Sequence, residues 1–374
     1  MKIASIHLQD FRNHGDTSVE FGDGINAVLG NNGEGKTNLL EAVSYLSLTK
    51  SFYAAGDATV VRLGADAFAV EGTLCTDAGM PHTVRAAYVR SPAGKLFTIN
   101  QVRPDTFASV IGRFPIVVLS PENSAITSGG PSERRRFLDL ALSQLSPVYL
   151  EDLQEYRRIL RQRNRLLLDG RLGGRLTVQA LEPWTESLAD HGSRIIQRRI
   201  DFVREFIGYV RSAYRTIAGD REDPGFSLST IAAGGDTADM IRAALAQQLV
   251  LRHSEERARG TTLVGPHRDD LVLTLNGNNL QHYASQGQHK TMLVAMKVAE
   301  FFFLRERSKE VPMFLLDDLF GELDEQRSRR ILDLVAGLGQ TIITTTDEQH
   351  FHGSVHWNAR HRKFMVEHGT CRAA

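Results

Sequence analysis

One short stretch constrains the fold of this chain more than any other. The segment GNNGEGKTN, residues 30–38, follows the apolar run INAVL and opens a segment whose apolar residues recur at helical spacing, from Lys36 to about Leu46. A strand, a glycine-rich loop and a helix in this order hold nucleotide phosphates, because glycine lets backbone N–H groups turn inward and the helix N-terminus adds partial positive charge. The stretch therefore predicts an α/β domain that binds a nucleotide.

The residues of this loop have different expected roles. Lys36 is expected to reach the β- and γ-phosphates, and the hydroxyl of Thr37 is expected to ligate Mg²⁺. A chance glycine-rich turn is the alternative, and the strand–loop–helix context argues against it. The other residues expected at the phosphates are Gly30, Asn31, Asn32, Gly33, Glu34, Gly35 and Asn38.

A pair of acidic residues follows a second apolar run. In MFLLDDLFGELD the four apolar residues predict a buried strand, and Asp317 and Asp318 come at its carboxyl end. Ligands gather at this end of the strands in open α/β sheets. Asp317 suits Mg²⁺ coordination, directly or through water, and Asp318 is placed to orient or deprotonate an attacking water. Taken alone, the segment also fits an acidic turn after a core strand.

The segment YASQGQHKT, residues 283–291, predicts a second anion-binding device. It leads into a helix predicted from Gln288, and Ser285, Gly287 and the helix N-terminus can together hold an anion. A single nucleotide needs only one such device. Two of them in one chain predict that each faces a different nucleotide, shared across a homodimer.

The strand and helix signals predict a nucleotide lobe built from both ends of the chain. The first part is β-rich, the middle is helical, and strand signals return with DLVLTL, MFLL and TIITTT, alternating with helices as in parallel βα units. We place the nucleotide lobe at residues 1–125 and 285–374, and a mainly helical lobe at residues 126–284. Helix signals in the second lobe are a start at Ser146 with a stop at Gly170, a start near Pro183 and a start after Asp239.

Composition argues against several other classes of protein. Lysine plus arginine and aspartate plus glutamate each total 44, so a nucleic-acid partner would need a local basic surface. The two cysteines, Cys75 and Cys371, argue against a disulfide framework and a zinc site. The sequence has no apolar run of about eighteen residues and no secretory signal, so we expect a cytoplasmic protein without a membrane partner.

The order of these motifs resembles the head of an ATP-binding cassette (ABC), with SQGQ similar to the signature segment between Walker A and Walker B. Within that superfamily the resemblance narrows to the RecF family of the SMC-like group. It implies an α/β P-loop NTPase fold of the ABC/SMC head type with a mainly α-helical inserted lobe. The blocks that resemble the family, spread from residue 11 to 324, are FRNH, GNNGEGKTNLLEA, GGPSERRRFLD, GPHRDDL, YASQGQ and LLDDLFGELD.

The resemblance also implies roles for individual residues. ATP and Mg²⁺ are the implied cofactors, and Asp317 is the implied Walker B acid. The implied catalytic residues are Lys36, Ser285 and Asp318, the last in the place of the catalytic carboxylate. Further residues that the resemblance places at a nucleotide, some of them donated by the partner subunit, are Arg12, Asn13, Gly287, Gln288 and, in the loop that couples the two sites, Asp324.

Several positions depart from the family pattern. Asp318 is one methylene shorter than the glutamate of transport cassettes, so we expect slow turnover. In place of a switch histidine, TTTDEQH offers Thr346 or Asp347. Gly321 stands where serine is expected, and the best region for a Q-loop is LSPEN, residues 119–123.

The function that the resemblance implies is an ATP-controlled DNA clamp of recombinational repair. Two subunits sandwich two ATP molecules, the closed dimer grips duplex DNA near single-strand gaps, and slow hydrolysis releases it. RecR and RecO are implied partners that help place RecA on gapped DNA. The alternatives are a nucleotide-sensing scaffold with negligible turnover and the ATPase subunit of a membrane transporter, which the helical insertion and the missing switch histidine disfavour.

The residues themselves leave the DNA contact open. The densest basic patch is RRILRQRNR, residues 157–165, followed by Arg171 and Arg175. These arginines could neutralise phosphates and release counterions, or they could form an ordinary solvated helix face.

Two further blocks are also ambiguous. In GGPSERRRFLD, Arg134 to Arg136 could pair with nearby acids or contact a partner subunit. In GPHRDDL, His267, Asp269 and Asp270 could hold a metal, although a structural or coupling network is favoured.

Overall fold

The chain divides into two compact units. The structure is a computed structural model, which describes residues 1–53, 56–174, 177–232, 237–319 and 325–374. Among the residues described, no helix has both the length and the apolar character that a membrane span requires. Unit 1 consists of Met1–Ser124, Ser212–Glu222 and Gln286–Ala374, and unit 2 consists of Ala125–Arg211 and Asp223–Ser285.

Strands predominate up to Leu119, helices from Ser124 to Ala218, and both are mixed from Pro224 onward. The strands are β1 (Lys2–Phe11), β2 (His14–Glu20), β3 (Ile25–Leu29), β4 (Ala67–Cys75), β5 (Pro81–Arg90), β6 (Ala93–Ile99), β7 (Ile116–Leu119), β8 (Pro224–Ser229), β9 (Asp270–Leu275), β10 (Asn278–Asn279), β11 (Met313–Asp317), β12 (Thr341–Thr345), β13 (Arg362–Glu367) and β14 (Thr370–Ala373). The α-helices are α1 (Lys36–Leu48), α2 (Ser124–Ser128), α3 (Pro131–Leu145), α4 (Pro147–Arg171), α5 (Val178–Ala218), α6 (Ala238–Leu251), α7 (His253–Arg259), α8 (Leu280–Tyr283), α9 (Gln286–Arg307) and α10 (Glu325–Ala336).

The core of unit 1 is a six-stranded sheet in the order β14-β13-β3-β12-β11-β7. All neighbouring strands in it run parallel except β14, which is antiparallel to β13. Strands β3, β11 and β12 are buried along their whole length, as expected for apolar strands in a parallel sheet covered on both faces. Their carboxyl ends lie at one edge of the sheet, where open α/β sheets bind ligands.

A second sheet of unit 1 is antiparallel, in the order β2-β1-β4-β5-β6. Helix α1 contacts strands of both sheets, so it is buried on almost every side. Tyr45 of α1 packs against Phe11 and Phe68 of the antiparallel sheet. The ring centroid of Tyr45 lies 6.2 Å from that of Phe11 and 5.5 Å from that of Phe68, and the two phenylalanine rings are 5.3 Å apart. Because α1 lies between two apolar layers, its buried carboxylate, Glu41, needs a charged partner.

The apolar runs INAVL, MFLL and TIITTT form adjacent parallel strands of the six-stranded sheet, as predicted, and β7 extends it beside β11. The expectation that DLVLTL belongs to the same parallel units is wrong. It forms β9, which pairs antiparallel with β8 and β10 in unit 2. Its residues alternate between buried and partly exposed, which is the pattern of an antiparallel strand with one covered face. The mainly helical part of the chain therefore also contains a three-stranded sheet.

Helices α4 and α5 provide much of unit 2. As predicted, Ser146 is the N-cap of α4, and its hydroxyl accepts a hydrogen bond from Tyr149 N at 3.2 Å. The helix ends at Arg171, one residue beyond the predicted stop. Helix α5 begins at Val178, before the predicted start near Pro183, and has 41 residues. Pro183 lies in its second turn, close enough to the start that the missing N–H removes only an early hydrogen bond.

The buried face of α4 contains a charged side chain. Arg163, within the basic patch at 157–165, is 1% exposed and donates to Glu256 Oε2 at 2.6 Å and to Thr262 Oγ1 at 2.7 Å. The patch is therefore not a uniform solvated face. Leu150 and Leu160 of the same helix are only partly buried. The buried residues of α4 are Tyr149, Asp152, Leu153, Tyr156, Ile159, Arg163 and Leu167.

The substitution Arg163→Ala should lower the free energy of unfolding by about 3–5 kcal/mol, because it leaves the buried Glu256 carboxylate without its charge partner. The matched control is Arg161→Ala on the same helix. The Arg161 side chain is exposed, so its loss should change this free energy by less than about 0.5 kcal/mol. Urea unfolding followed by circular dichroism measures both variants, and equal effects would contradict the role of the buried ion pair.

Candidate functional site

The loop that joins β3 to α1 curves through positive backbone angles. The φ angles of Gly30, Gly33 and Gly35 are +153°, +85° and +114°, a region that favours glycine. Two of these glycines also have close neighbours. A Cβ on Gly35 would lie 2.5 Å from Asn13 Oδ1, and a Cβ on Gly30 would lie 2.4 Å from Val366 O. A larger residue at either position would displace the surrounding chain.

The ammonium group of Lys36 lies within the curve of this loop. Its Nζ donates to Gly30 O at 2.7 Å and to Asn31 O at 2.9 Å, and the residue is 6% exposed. Burial lowers the pKa of Lys36, whereas the charges of nearby carboxylates, first Asp318, act in the opposite direction. A buried cation beside a helix N-terminus fits the phosphate chain of a nucleotide. The exposed tip of the loop is Asn31, Asn32 and Gly33.

The carboxylate of Asp317 lies at the end of β11 and contacts the start of α1. Its Oδ1 accepts hydrogen bonds from Thr37 Oγ1 at 2.9 Å and from Thr344 Oγ1 at 2.6 Å. Burial raises the pKa of Asp317, the two hydrogen bonds act to lower it, and the charge of Glu122 in the LSPEN segment raises it further. A hydroxyl and a carboxylate side by side fit the oxygen ligands that Mg²⁺ prefers. Thr344 was not among the predicted site residues.

The adjacent Asp318 is exposed, with a φ of +44°. Its N–H donates to the hydroxyl of Thr344 at 3.0 Å, so this threonine contacts both acidic residues. Lys290 of α9 lies within electrostatic reach: burial lowers the pKa of Lys290, and the charge of Asp318 opposes that change. Lys290 is part of the segment YASQGQHKT but has no predicted role. The role of Asp318 as catalytic carboxylate stays a prediction.

Arg12 and Asn13, predicted to approach the nucleotide, contact the loop and its helix. Arg12 forms a bidentate pair with Glu41 of α1, at 2.8 and 2.9 Å. Asn13 Nδ2 donates to Glu34 O at 2.8 Å, and Asn13 Oδ1 accepts from Asn38 Nδ2 at 2.8 Å. Arg12 therefore compensates the buried charge of α1, and Asn13 ties the loop to the start of that helix. A direct contact with nucleotide stays a prediction for both.

Two further supports of the loop are absent from the sequence predictions. The buried ring of His14 donates from Nε2 to Gly35 O at 3.0 Å, and burial lowers the pKa of His14. In the turn between β13 and β14, Gly369 N donates to Glu34 O at 3.0 Å and His368 N donates to the Glu34 carboxylate. His14 belongs to the block FRNH, whereas no pattern near residue 369 indicates a contact with the loop.

The predicted signature residues Ser285, Gly287 and Gln288 lie at the start of α9. Ser285 is exposed and directly precedes the helix, which begins two residues earlier than predicted. Gln288 Nε2 donates to Glu222 Oε1 at 2.6 Å. A Cβ on Gly287 would lie 3.0 Å from a guanidinium nitrogen of Arg327 of α10, so a larger residue at 287 would displace the end of that side chain.

Some predicted positions have other surroundings or lie outside the structure. Thr346 is exposed. Asp347 is the N-cap of a short 3₁₀ helix, and its carboxylate accepts from Gln349 N at 2.8 Å, so its observed role is local. The predicted residues Asp324, Gly321 and Arg175 lie outside the described residues.

The two ambiguous blocks meet in unit 2 as an ion-pair network. Arg134 forms a bidentate pair with Asp270, at 2.7 and 2.8 Å, and Arg199 binds Asp269 at 3.0 Å. His267 accepts a hydrogen bond from a tyrosine hydroxyl, and burial lowers the pKa of His267 to about 4. Across the described ranges no cluster of three or more histidine, cysteine or acidic side chains forms a candidate metal site. The contacts fit the structural network that the sequence favoured.

Known proteins resemble this chain over nearly its whole length. The family model described as RecF/RecN/SMC N terminal domain matches residues 2–371. A protein of Salinibacter ruber named DNA replication and repair protein RecF is 42% identical, and the alignment covers 100% of this chain and 92% of that protein. A protein of the same name from Listeria innocua is 33% identical, with 100% of each chain covered.

Solved structures give the same result for the fold. A structure of the recombination mediator protein RecF-ATPrS in the RecFOR pathway matches with a TM-score of 0.91 at 29% identity, over 100% of this chain and 98% of that chain. An SMC head bound to the C-winged helix domain of ScpA matches with a TM-score of 0.55 at 13% identity, over 100% of this chain and 97% of that chain, which is a likeness of fold alone.

The phosphate loop, the buried acid at the end of β11 and the parallel sheet define, with these likenesses, a P-loop NTPase head of the ABC/SMC type. This confirms the fold class that the sequence predicted. Within that class, the chain belongs to the RecF family. The family resemblance of the motif blocks is thereby also confirmed.

The substitution Asp317→Asn should raise the free energy of unfolding of the nucleotide-free protein. It removes a buried charge, while the amide oxygen can still accept hydrogen bonds from Thr37 and Thr344. Because burial raises the pKa of Asp317 in the folded state, the ionised carboxylate is destabilising once the pH exceeds that value. The gain in the free energy of unfolding should therefore vanish when the pH is below the unfolded-state pKa of 3.8. It should be largest when the pH is above the folded-state pKa.

The control for this prediction is Asp318→Asn. Asp318 is exposed, and asparagine tolerates its positive φ, so the free energy of unfolding should change by less than about 0.5 kcal/mol. Unfolding measured at several pH values without nucleotide tests both variants. A less stable Asp317→Asn protein at neutral pH would contradict the proposed cost of the buried carboxylate.

Proposed function

We propose that this protein is an ATP-dependent DNA-binding protein of recombinational repair. Two copies sandwich two ATP molecules, the closed homodimer grips DNA at single-strand gaps, and slow hydrolysis of ATP resets it. The names of the relatives support the repair role, since they are called DNA replication and repair proteins. ATP is supported by the solved RecF structures, which are named with ATP and ATPrS.

The observation that carries the proposal is the cluster of Lys36, Thr37 and Asp317 at the carboxyl edge of the parallel sheet. In the proposed site Lys36 neutralises the β- and γ-phosphates, and the oxygens of Thr37 and Asp317 hold Mg²⁺, directly or through water. The metal supplies charge neutralisation for the phosphates. The other loop residues from Gly30 to Asn38 present their N–H groups to the phosphates, and Arg12 and Asn13 hold the loop in shape.

We propose slow hydrolysis because of the position of Asp318. Its carboxylate orients the attacking water, yet it is exposed and one methylene shorter than glutamate. A closed dimer would exclude water around this group and bring it to working distance. Ser285, Gly287 and Gln288 of one subunit then complete the site of the other, with Asp324 in the loop that couples the two sites.

The DNA contact is proposed for the exposed arginines of α4. Arg157 and Arg158 already pair with acids, at 2.9 Å for Arg157 and Asp139, whereas Arg161 and Arg165, likewise exposed, form no ion pair with the described residues. Such contacts neutralise phosphates without reading base sequence. We further propose RecR and RecO as partners, RecA as an indirect partner and the cytoplasm as the location.

The substitution Ser285→Arg should abolish ATP-dependent dimerisation while the monomer still binds ATP, because the larger charged side chain blocks approach of the partner's nucleotide. Ser18→Arg is the matched control, since Ser18 is exposed on β2 and has no proposed role. Light scattering with and without ATP measures the dimer, and a filter assay measures bound ATP. If the Ser285→Arg protein still dimerises with ATP as the unaltered protein does, the proposal that two subunits share each ATP site is wrong.

ATP should strengthen DNA binding by this protein at least about tenfold relative to ADP, if closure of the dimer forms the grip. In Lys36→Met the effect should disappear, because one charged contact with phosphate is worth about tenfold or more in ATP affinity. Fluorescence anisotropy with gapped DNA at several salt concentrations makes the measurement. A DNA affinity that is the same with ATP and with ADP would contradict the clamp mechanism.

Phosphate release separates the clamp from its main rival. The shortened Asp318 leaves room for the nucleotide-sensing scaffold, which predicts no phosphate release with or without gapped DNA. The clamp predicts slow release that Asp318→Asn abolishes.

A further inference from the structure

The buried ring of His14 lies between the phosphate loop and the turn that joins β13 to β14. His14 is 0% exposed. Its Nε2 is 3.0 Å from Gly35 O, and its Nδ1 is 3.1 Å from Thr17 Oγ1. The Thr17 hydroxyl in turn donates to Gly369 O at 2.9 Å. His14 and Thr17 therefore form a chain of three polar contacts that runs from one backbone carbonyl to another.

This chain has one hydrogen atom too few when His14 is neutral. Each of the three contacts needs a proton between its two heavy atoms, and the two ends, Gly35 O and Gly369 O, can only accept. A neutral imidazole contributes one N–H and the Thr17 hydroxyl contributes one O–H, which together fill two contacts. An imidazolium donates from both nitrogens and fills the third. Protonation of His14 therefore satisfies every group in the chain, whereas the neutral ring leaves one buried contact unmade.

Two opposing influences act on the charge of His14 in the nucleotide-free protein. Burial is the larger one and lowers the pKa of His14 from its ordinary value of 6.5, while hydrogen bonds to the carbonyls of Gly35 and Gly369 act to raise it. At neutral pH the ring is therefore mainly neutral, and the third contact lacks its proton. A negative charge that binds nearby would favour the protonated ring.

The charged side chains around His14 are mostly paired with one another. Within the described ranges none of them forms a hydrogen bond with the ring. Because these charges are largely balanced, a bound triphosphate would be the largest change of charge near His14. The charged or titratable side chains on the segments around the ring are Glu34 with His368, Lys36, Glu367, Arg12 with Glu41, His7 with Asp16, and Arg62 with Asp10.

The peptide bond between Gly35 and Lys36 connects the ring to the phosphate site. The C=O and the N–H of a trans peptide point in opposite directions. Since Gly35 O points to His14, the N–H of Lys36 points away from the ring. This N–H is the first of α1 and has no acceptor within the helix, so in the proposed ATP site it donates to phosphate. A charge on His14 polarises the peptide and strengthens that bond, and the phosphate favours the charge in return.

We propose that His14 is a positioning residue of the ATP site, which takes up a proton when the phosphates of the nucleotide bind to the loop. The inference rests on the ATP site proposed above. The proton comes from solvent and lies on Nδ1, which donates it to Thr17 Oγ1, while the Thr17 hydroxyl keeps its bond to Gly369 O. The completed chain holds Gly35 in place, and the proton returns to solvent when the nucleotide leaves. This contribution to ATP affinity increases as the pH falls toward the pKa of His14 in the free protein.

The test is titration calorimetry of the full chain with ATP and excess Mg²⁺, in buffers that differ in their heat of ionisation. The dependence of the measured heat on the buffer gives the number of protons taken up per ATP bound. At a pH of about 6 the unaltered protein should take up more protons than His14→Gln, by up to about one proton per subunit. At a pH of about 8 the two counts should agree, because His14 is neutral there with and without ATP. Between these pH values the ratio of the two ATP affinities should change by about three- to tenfold.

The comparison with a variant removes the other protons that the site exchanges. Burial raises the pKa of Asp317, so Mg²⁺ binding at low pH releases protons there in both proteins. His14→Asn replaces His14→Gln if the latter fails to fold, since both amides are uncharged donors. His7→Gln is the matched control, because the His7 side chain is 40% exposed on β1 and pairs with Asp16 at 2.7 Å. It should give the proton count of the unaltered protein.

A second measurement needs no variant. The NMR signals of isotopically labelled histidine rings distinguish a neutral imidazole from an imidazolium. When ATP and Mg²⁺ are added at a pH of about 6, one buried ring should become an imidazolium. A spectrum in which no ring is protonated on addition of ATP overturns the proposal.

The proposal is also overturned if the unaltered protein and a folded His14 variant give the same proton count at a pH of about 6. A loss of proton uptake in His7→Gln equal to that in His14→Gln contradicts it as well, because the uptake would then not belong to His14. If the unaltered protein binds no ATP, the ATP site and this inference fail together. If ATP binds without a difference in protons, only the role of His14 fails.

Discussion

The carboxylate of Asp317 connects segments of unit 1 that lie far apart in the chain. Its two hydroxyl partners are Thr37, 280 residues earlier, and Thr344, 27 residues later. Because the carboxylate is buried, it needs both hydrogen bonds. Meeting that need places the start of α1 against the ends of β11 and β12, so the phosphate loop and the acidic strand end form one site.

A second buried carboxylate, that of Glu41, positions the residues of FRNH that contact the phosphate loop. Glu41 is surrounded by the two sheets that enclose α1, and Arg12 compensates its charge. Since Arg12 is fixed there, the next two residues, Asn13 and His14, are brought to Glu34 O and Gly35 O. One ion pair therefore determines where three successive residues of FRNH lie.

Sequence patterns predicted the parts of the molecule that depend on local order. Apolar runs predicted β3, β11 and β12, and the spacing of the loop identified Lys36 and Thr37, because each signal is contained in a few neighbouring residues. Tertiary contacts have no such signal. Thr344 is one of several consecutive threonines, and Arg163 is one of several arginines until Glu256 packs against it. The prediction that β9 belongs to the parallel units is wrong because it follows from the alternation of strand and helix signals along the chain, whereas the antiparallel pairing of β9 with β8 and β10 depends on tertiary contacts.

The turn between β13 and β14 has a consequence for how the protein is made. Its residue His368 contacts Glu34 of the phosphate loop, across 334 positions of sequence. A ribosome therefore releases the loop long before it releases the turn that holds it. Until residue 369 has emerged, the nascent chain carries a phosphate loop without one of the contacts that hold it. A premature stop codon before β14 would therefore alter the phosphate loop, which lies near the N-terminus of the chain.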